Sequence, residues 1–442
     1  MLDFRYRSIL AVAVPLMGSS FIQSIVLWTD ASFLSRYNTL SFDAAGNGGL
    51  IYVTLLMILL GLGDGSQILH ARRIGQEKWE ALGRIFGTTI SSNFIIALIL
   101  IFLIQLLVGP GLAYFSFDKE LAAAETDYIE IRSIALFFVA ITFSINAFFF
   151  AVGTTWKVLI CSIITAGSNI FLDYGMIFGH FGFEEMGLKG AAYASTIADG
   201  IGMIASFTFL YFSLERKKYS LLKHFKLDFT SMKELFKLGT PILLQGFIAL
   251  STWTIFFTWI EHKGSFELTV SQNIRAIYLL AFVPIFGFSA TTKTYISQCI
   301  GKNKPEDLKK IQKRILILTM LFLTVFFHGA ILYPEVLIRA VNPEEVYVQK
   351  SAEIMRMVGG SIFLFGFVSV FYQTINGSGN TRASFYIEVI AVVIYLVSAY
   401  FFIKVWNFDI YHIWTVEYIY FGSLGTFSLL YLKFFDWKNK QL

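Results

Sequence analysis

The sequence predicts an all-α polytopic membrane protein with twelve transmembrane helices in two six-helix lobes related by pseudo-two-fold symmetry along the membrane normal. Three observations predict it: composition, the placement of basic residues, and an internal repeat. Hydrophobic residues make up 56% of the 442 residues and charged residues only 15%, which lies outside the balance of a soluble globular domain. Apolar stretches of about 20 residues recur along the chain, and each is long enough to cross a bilayer core as a helix.

These apolar stretches place twelve spans. The first run is too long for the core of a signal peptide, so we expect it to be retained as a span. The spans begin near Ser8, Leu50, Phe86, Ser133, Val158, Gly190, Phe236, Ile277, Ile315, Met357, Phe385 and Trp414.

Basic residues fall mainly in alternate loops, which fixes the orientation because cytoplasmic loops carry an excess of Lys and Arg. We expect both termini in the cytoplasm. The net charge of +5 follows from this excess, so we expect no nucleic-acid partner. The basic groups placed in the cytoplasm include Arg5 and Arg7, Arg72 and Arg73, the segment from Arg216 to Lys237, and Lys433, Lys438 and Lys440.

An internal repeat divides the chain into two halves. Pro15 and Pro241 occupy similar points of apolar helices, and the sequence separation between them also aligns Gly61 with Gly287 and Gly153 with Gly379. Six spans in each half make the halves enter the membrane in the same sense. We therefore predict an N-lobe at 1–213, a basic cytoplasmic linker at 214–236 and a C-lobe at 237–442. Two such bundles around a central cavity are typical of secondary transporters.

Charged groups within a bilayer core cost several kcal/mol unless they are paired, solvated or neutralised, so each one is a functional candidate. Asn169 and Asp173 are four residues apart and share one helix face. Gln245 and Arg275 are weaker candidates for a cavity lining. The intramembrane charged residues are Asp30, Asp64, Asp173, Asp199, Lys293 and Glu388.

Several segments, in order and in duplicate, resemble the multidrug and toxic compound extrusion (MATE) family over most of the chain. They are GLGDGSQILHARRIGQ (Gly61–Gln76), the Gly-Thr-Thr at Gly153, Ser168-Asn169 with Asp173, GLKGAAYAST (Gly187–Thr196) and INGSGNTR (Ile375–Arg382). The resemblance implies export of organic, often cationic or aromatic, compounds against an inward flow of Na⁺ or H⁺.

The resemblance also implies an ion site in the N-lobe. The family's first-span Asp matches Asp30, its fifth-span Asn and Asp match Asn169 and Asp173, and its bending proline matches Pro15. The sixth-span hydroxyl matches Ser195, with Thr196 as the alternative. In the C-lobe the stretch near Ala249 is apolar and Asn380 stands in place of an Asp, so we expect the N-lobe alone to hold the ion site.

Carboxylates, an amide oxygen and a hydroxyl are the hard oxygen ligands that a small cation prefers, and the same groups could hold a proton. We therefore expect Asp30, Asn169 and Asp173 to bind Na⁺ if transport is sodium-coupled, or H⁺ otherwise. Pro15 removes a hydrogen bond from the first span and gives it a place to bend. Our hypothesis is that ion binding drives this bend. The alternatives are that Asp30 faces interfacial water and that Asn169 and Asp173 form an interhelical polar clamp.

The leading functional prediction is a secondary antiporter that works by rocker-switch alternating access. The alternative is a flippase for a lipid-linked saccharide or another amphipathic lipid. No metal-ligand cluster, nucleophile motif or cofactor fingerprint occurs in the sequence, so we expect neither enzymatic activity nor a cofactor. We expect a monomer in the bacterial cytoplasmic (inner) membrane, with a small organic substrate, a coupling cation and the lipid bilayer as its partners.

Overall fold

The computed structural model describes residues 2–115 and 118–439, and this part of the chain contains helices and no strand. Lys440, one of the predicted cytoplasmic residues, lies outside it. A 3₁₀ turn (Pro305–Asp307) and a π-helical segment (Phe401–Val405) accompany the α-helices. The α-helices are α1 (Tyr6–Tyr37), α2 (Thr39–Gly75), α3 (Trp79–Phe115), α4 (Lys119–Ser133), α5 (Ala135–Val152), α6 (Trp156–Phe178), α7 (Gly187–Tyr211), α8 (Leu214–Lys218), α9 (Phe229–Glu261), α10 (Ser265–Gly301), α11 (Leu308–Phe327), α12 (Gly329–Leu332), α13 (Pro334–Val341), α14 (Glu345–Gly377), α15 (Thr381–Tyr400), α16 (Ile410–Ile413) and α17 (Val416–Phe434).

Ten helices in the described ranges are long and apolar enough to cross a membrane, which confirms the polytopic α-helical class. They are α1, α2, α3, α5, α6, α7, α9, α10, α14 and α15 with its π-helical extension. The predicted ninth and twelfth spans overlap α11 and α17. Charged residues lower the mean hydropathy of these two helices. Four basic residues lie in the first turns of α11, and α17 carries Glu417 and Lys433. The count of twelve therefore stays a prediction.

The chain forms two compact units. Pro15–Leu243 is one unit, and Met1–Val14 joins Leu244–Leu442 in the other. Both divisions fall within helices close to the two prolines of the repeat, Pro15 in α1 and Pro241 in α9. The predicted lobe and linker ranges stay a prediction.

In the unit Pro15–Leu243, the beginning of α9 packs on α2 and α3. Gly65 of α2 faces the backbone of Gly239. Glu234, which precedes Gly239 on α9 by more than one helical turn, forms a salt bridge of 2.9 Å with Arg73. The backbone N–H of Asp228 donates to the hydroxyl of Thr88 at 3.0 Å. Absence of a side chain at Gly65 is what lets the two helices approach this closely.

In the other unit, the residues that precede α1 bind α10 and α11. Arg314 Nη1 donates to the carbonyl oxygen of Phe4 at 2.7 Å, and the Tyr295 hydroxyl donates to that of Asp3 at 3.1 Å. Arg314 is the counterpart of Thr88 in the internal repeat. Equivalent positions of the repeat therefore hold the start of α9 in one unit and the start of α1 in the other.

The close approach at Gly65 generates a prediction with a matched control two residues away. A Cβ at Gly65 would lie 2.8 Å from the backbone N of Gly239, whereas a Cβ at Gly63 would meet no atom nearer than 3.9 Å. Gly65→Ala should lower the thermal unfolding midpoint in detergent, because the backbone of α9 must move. Gly63→Ala should leave it unchanged or raise it slightly, since Ala is favoured over Gly in a helix by roughly 0.5–1 kcal/mol. Equal midpoints for the two variants would contradict this account of the packing.

Candidate functional site

Aromatic packing holds the C-terminal half of α1 against the end of α6. The ring of Phe33 meets that of Phe178 edge-on at 5.9 Å, and Tyr37 meets the same ring at 6.3 Å. Leu34 is buried in the same apolar cluster as Ile177. Such edge-to-face pairs favour a defined geometry in addition to burying area. Asp30 precedes these residues by one turn on α1. The aromatic packing therefore fixes the position of Asp30 along the axis of α6.

Glycines set the spacing of α6 and α7. A Cβ at Gly190 would clash with the carbonyl oxygen of Met176, and one at Gly202 would clash with the side chain of Thr165. Between these two points the amide of Asn169 on α6 donates to the hydroxyl of Ser195 on α7 at 3.2 Å. The small-residue start of α7 thus brings a hydroxyl within reach of the polar face of α6.

Asp30, Asn169 and Asp173 form one cluster. Asn169 is 2% exposed and Asp173 is fully buried. The carboxyl groups of Asp30 and Asp173 are close enough to interact electrostatically, and Asn169 lies one helical turn before Asp173 on α6. Buried oxygens of all three side chains, namely Asp30 Oδ1, Asn169 Oδ1, and both carboxyl oxygens of Asp173, receive no hydrogen bond from the described residues. Buried polar atoms are nearly always hydrogen-bonded, so four such acceptors in one place stand out.

A single guanidinium lies beside this cluster. Arg132, at the end of α4, donates from Nη1 to Asp199 Oδ2 at 2.8 Å and lies 4.3 Å from the ring centroid of Tyr52. It lies within electrostatic range of both Asp30 and Asp173. The site thus combines three carboxyl groups with one fixed cation.

The other predicted residues of this unit fall into different surroundings. Thr196 directs its hydroxyl to the carbonyl oxygens of Ala192, at 2.7 Å, and Ile131, at 3.4 Å. The hydroxyl in contact with Asn169 is therefore that of Ser195. Asp64 is half-buried in α2. Pro15 lies within α1, where its carbonyl oxygen accepts from the Ser19 hydroxyl at 3.0 Å.

The predicted cavity residues of the second half lie in the other unit. Gln245 donates to the Ser384 hydroxyl at 3.0 Å. Arg275 lies over the Phe257 ring, with 4.8 Å from its guanidinium carbon to the ring centroid. Lys293 is buried in α10. Glu388 is buried and accepts a hydrogen bond from Tyr420.

Arg132 and Glu417 are charged residues with little exposure that are not among those predicted from the sequence. Arg132 directly precedes the predicted fourth span, so hydropathy alone assigns it to a loop. Glu417 lies near the start of the predicted twelfth span, is 1% exposed, and accepts hydrogen bonds from Tyr278 at 2.9 Å and Tyr395 at 3.1 Å. The available signal is that each lies close to a predicted span boundary, where a small shift of that boundary changes the assignment.

The donor set of the cluster suits a monovalent cation or a proton. Two carboxyl groups, an amide oxygen and a nearby hydroxyl offer hard oxygen ligands. Among the described residues no group of three or more His, Cys, Asp or Glu side chains is arranged to hold a metal ion. The third proposed ligand of this cluster is an amide. A proton shared by Asp30 and Asp173 would equally relieve the repulsion between the two carboxylates.

Comparison with known proteins adds a family match. A family model described as MatE matches twice, at residues 15–175 and 241–401, and the two matches begin at the prolines that define the internal repeat. The chain is similar to "Probable multidrug resistance protein NorM" of Thermotoga maritima, with 25% identity over 87% of this chain and 83% of that protein. It is 21% identical to "Probable multidrug resistance protein YoeA" of Bacillus subtilis, over 88% and 84% of the two chains. The solved outward-facing structure of a multidrug resistance MATE family transporter has the same fold, with a TM-score of 0.88, 17% identity and coverage of 96% and 94%.

Cation binding by the cluster should be visible in the stability of the purified protein. Lowering the pH or adding Na⁺ should raise the thermal midpoint, since a ligand at about 100 times its dissociation constant stabilises the folded state by about 2.7 kcal/mol. Asp173→Asn should abolish this response. The substitution removes one of the two repelling charges, and the new amide can donate a hydrogen bond to Asp30. Asp127→Asn is the matched control: Asp127 pairs with Lys189 at the surface, and this variant should keep the full response. A full response in Asp173→Asn would rule out the cluster as the binding site.

Proposed function

Because this chain belongs to the MATE family, which matches both of its halves, we propose that it is a secondary active antiporter. It exports organic, cationic or aromatic, compounds from the cell in exchange for H⁺ or Na⁺. Asp30, Asn169 and Asp173 bind the coupling ion, and Ser195 supports the amide of Asn169. The relatives from T. maritima and B. subtilis are named as multidrug resistance proteins, which supports this substrate class.

The observation that carries the proposal is the group of four buried acceptor oxygens that receive no hydrogen bond from the described residues. Leaving a buried acceptor unsatisfied costs roughly 1–3 kcal/mol, and more for a charged group. A proton or a small cation at the cluster removes this cost. A bound ion shifts the protein between two forms by as much as its affinities for the two forms differ, so coupling requires that the cost of the empty cluster differ between them.

Pro15 gives the loading step a mechanical consequence. The Ser19 hydroxyl bonds to the carbonyl of residue i−4, Pro15, and such bonds tend to bend helices. Asp30 lies on the same helix, about 22 Å further along at 1.5 Å per residue. Neutralising Asp30, by a proton or a bound cation, removes its repulsion from Asp173 and so favours one form of α1, straight or bent at Pro15. Substrate release accompanies this change.

The proposed setting is the bacterial cytoplasmic membrane. Ten apolar helices support integration into a bilayer, and the distribution of Lys and Arg favours cytoplasmic termini. We propose that the protein acts as a monomer, with no cofactor besides the coupling ion.

Transport by reconstituted protein tests the proposal. Proteoliposomes loaded with a fluorescent organic cation should move it when a pH or Na⁺ gradient is imposed, and the two gradients applied separately identify the coupling ion. Asp30→Asn should lower gradient-driven transport at least about tenfold, as expected when an intramembrane ion ligand is lost. Asp127→Asn, at the surface, should transport normally. Full transport by Asp30→Asn would contradict the proposed coupling, and translocation of a lipid-linked saccharide alone would favour a flippase.

The two prolines of the repeat test the hinge. Pro15→Ala supplies the missing backbone N–H and should lower the transport rate while leaving the ion-dependent rise in thermal midpoint intact. Pro241→Ala is the matched control, because Phe256 occupies the place on α9 that Asp30 occupies on α1. It should have the smaller effect on ion-driven transport. Equal losses in both variants would show that the first-span proline has no special link to the ion site.

A further inference from the structure

Arg132 and Asp199 form a half-buried ion pair that the proposed mechanism does not use. Their side chains are only 14% and 21% exposed, and Nη1 lies 2.8 Å from Oδ2. The pair joins the end of α4 to α7. Asp199 lies one helical turn beyond Ser195, so the pair sits directly beside the ion-binding residues.

The surroundings of Arg132 comprise groups from five helices. Besides Asp199 on α7, they are Tyr52 on α2, Tyr128 on α4, Asp30 on α1 and Asp173 on α6. Tyr52 offers the face of its ring to the guanidinium, which stabilises a cation without neutralising it. The guanidinium is therefore held by one carboxylate and one aromatic face, within electrostatic range of two further carboxyl groups.

We propose that Arg132 is a built-in countercharge that competes with the coupling ion for Asp30 and Asp173, and that Asp199 restrains this competition. The pair thereby sets the concentration of H⁺ or Na⁺ at which the site loads. This inference rests on the proposed ion site and adds the residues that tune its affinity.

The balance of charge around Arg132 accounts for this role. Three carboxyl groups face one guanidinium, which remains charged at any accessible pH. With Arg132 bound to Asp199, the negative charges of the other two carboxyl groups remain available to an exchangeable cation. Without Arg132 the site becomes more negative and should hold a cation too tightly to release it. Without Asp199 the guanidinium is free to neutralise Asp30 and Asp173, and loading should require more cation. Electrostatic terms of this kind commonly amount to about one pH unit, or tenfold in concentration.

Opposite signs distinguish this role from that of a structural brace. The measurement is the Na⁺ concentration, or the pH, at which the thermal midpoint of the full-length protein is half-raised. Arg132→Gln should shift loading to roughly tenfold lower Na⁺, or to higher pH, and Asp199→Asn should shift it the other way. The double variant should return close to the wild-type value, because both charges of the pair are removed together.

Arg132→Lys is the control, since it keeps the charge and should load at nearly the wild-type concentration. If Arg132→Gln fails to fold, the direction of the Asp199→Asn shift still decides. Shifts in the same direction in both single variants, or unchanged loading in both, would overturn the inference. That outcome is distinct from failure of the proposed site, in which the wild type itself shows no response to H⁺ or Na⁺.

Discussion

The approach of two carboxyl groups, the fully buried Asp173 and the half-buried Asp30, is the constraint on which the rest of this structure depends. Ionising both at once is costly because they repel each other and Asp173 has no contact with water, and the described residues supply no donor to Asp30 Oδ1 or to Asp173. Repulsion between the carboxylates and the loss of hydration both favour a bound positive charge. The fold maintains this unfavourable arrangement because packing elsewhere fixes the helices that carry it.

That packing comes from glycines and aromatic residues that carry no charge. Gly190 and Gly202 bring α7 against α6 above and below the Asn169–Ser195 contact. The aromatic cluster at Phe33 and Phe178 holds α1 in place. Since the two carboxyl groups lie on α1 and α6, which are distant in sequence, a shift of either helix changes the distance between them. In the proposed mechanism, close helix packing converts the binding of a small ion into a movement of the helices.

Much of this organisation could be predicted from the sequence, for identifiable reasons. Helical periodicity places Asn169 and Asp173 on one face, and hydropathy identifies the charges within apolar spans. The internal repeat that relates Pro15 to Pro241 is confirmed by the two family matches, which begin at these prolines. Arg132 and Glu417 could not be predicted, because at the ends of spans hydropathy does not distinguish a buried charge from a solvated one. The choice of Ser195 as the hydroxyl that contacts Asn169 depends on a rotation of α7 that spacing alone does not fix. The divisions inside α1 and α9 depend on contacts between segments distant in sequence, such as Thr88 with Asp228.

The central claim is that the Asp30–Asp173 pair changes its protonation or its ion load. Infrared difference spectroscopy measures this directly, because a protonated carboxyl group has its own stretching band. Changing the pH or adding Na⁺ should produce a carboxyl signal in the wild type that disappears in Asp30→Asn and in Asp173→Asn and persists in Glu417→Gln. A signal that survives in both aspartate variants and is lost in Glu417→Gln would contradict the account and move the ion-exchanging group to the other half of the chain.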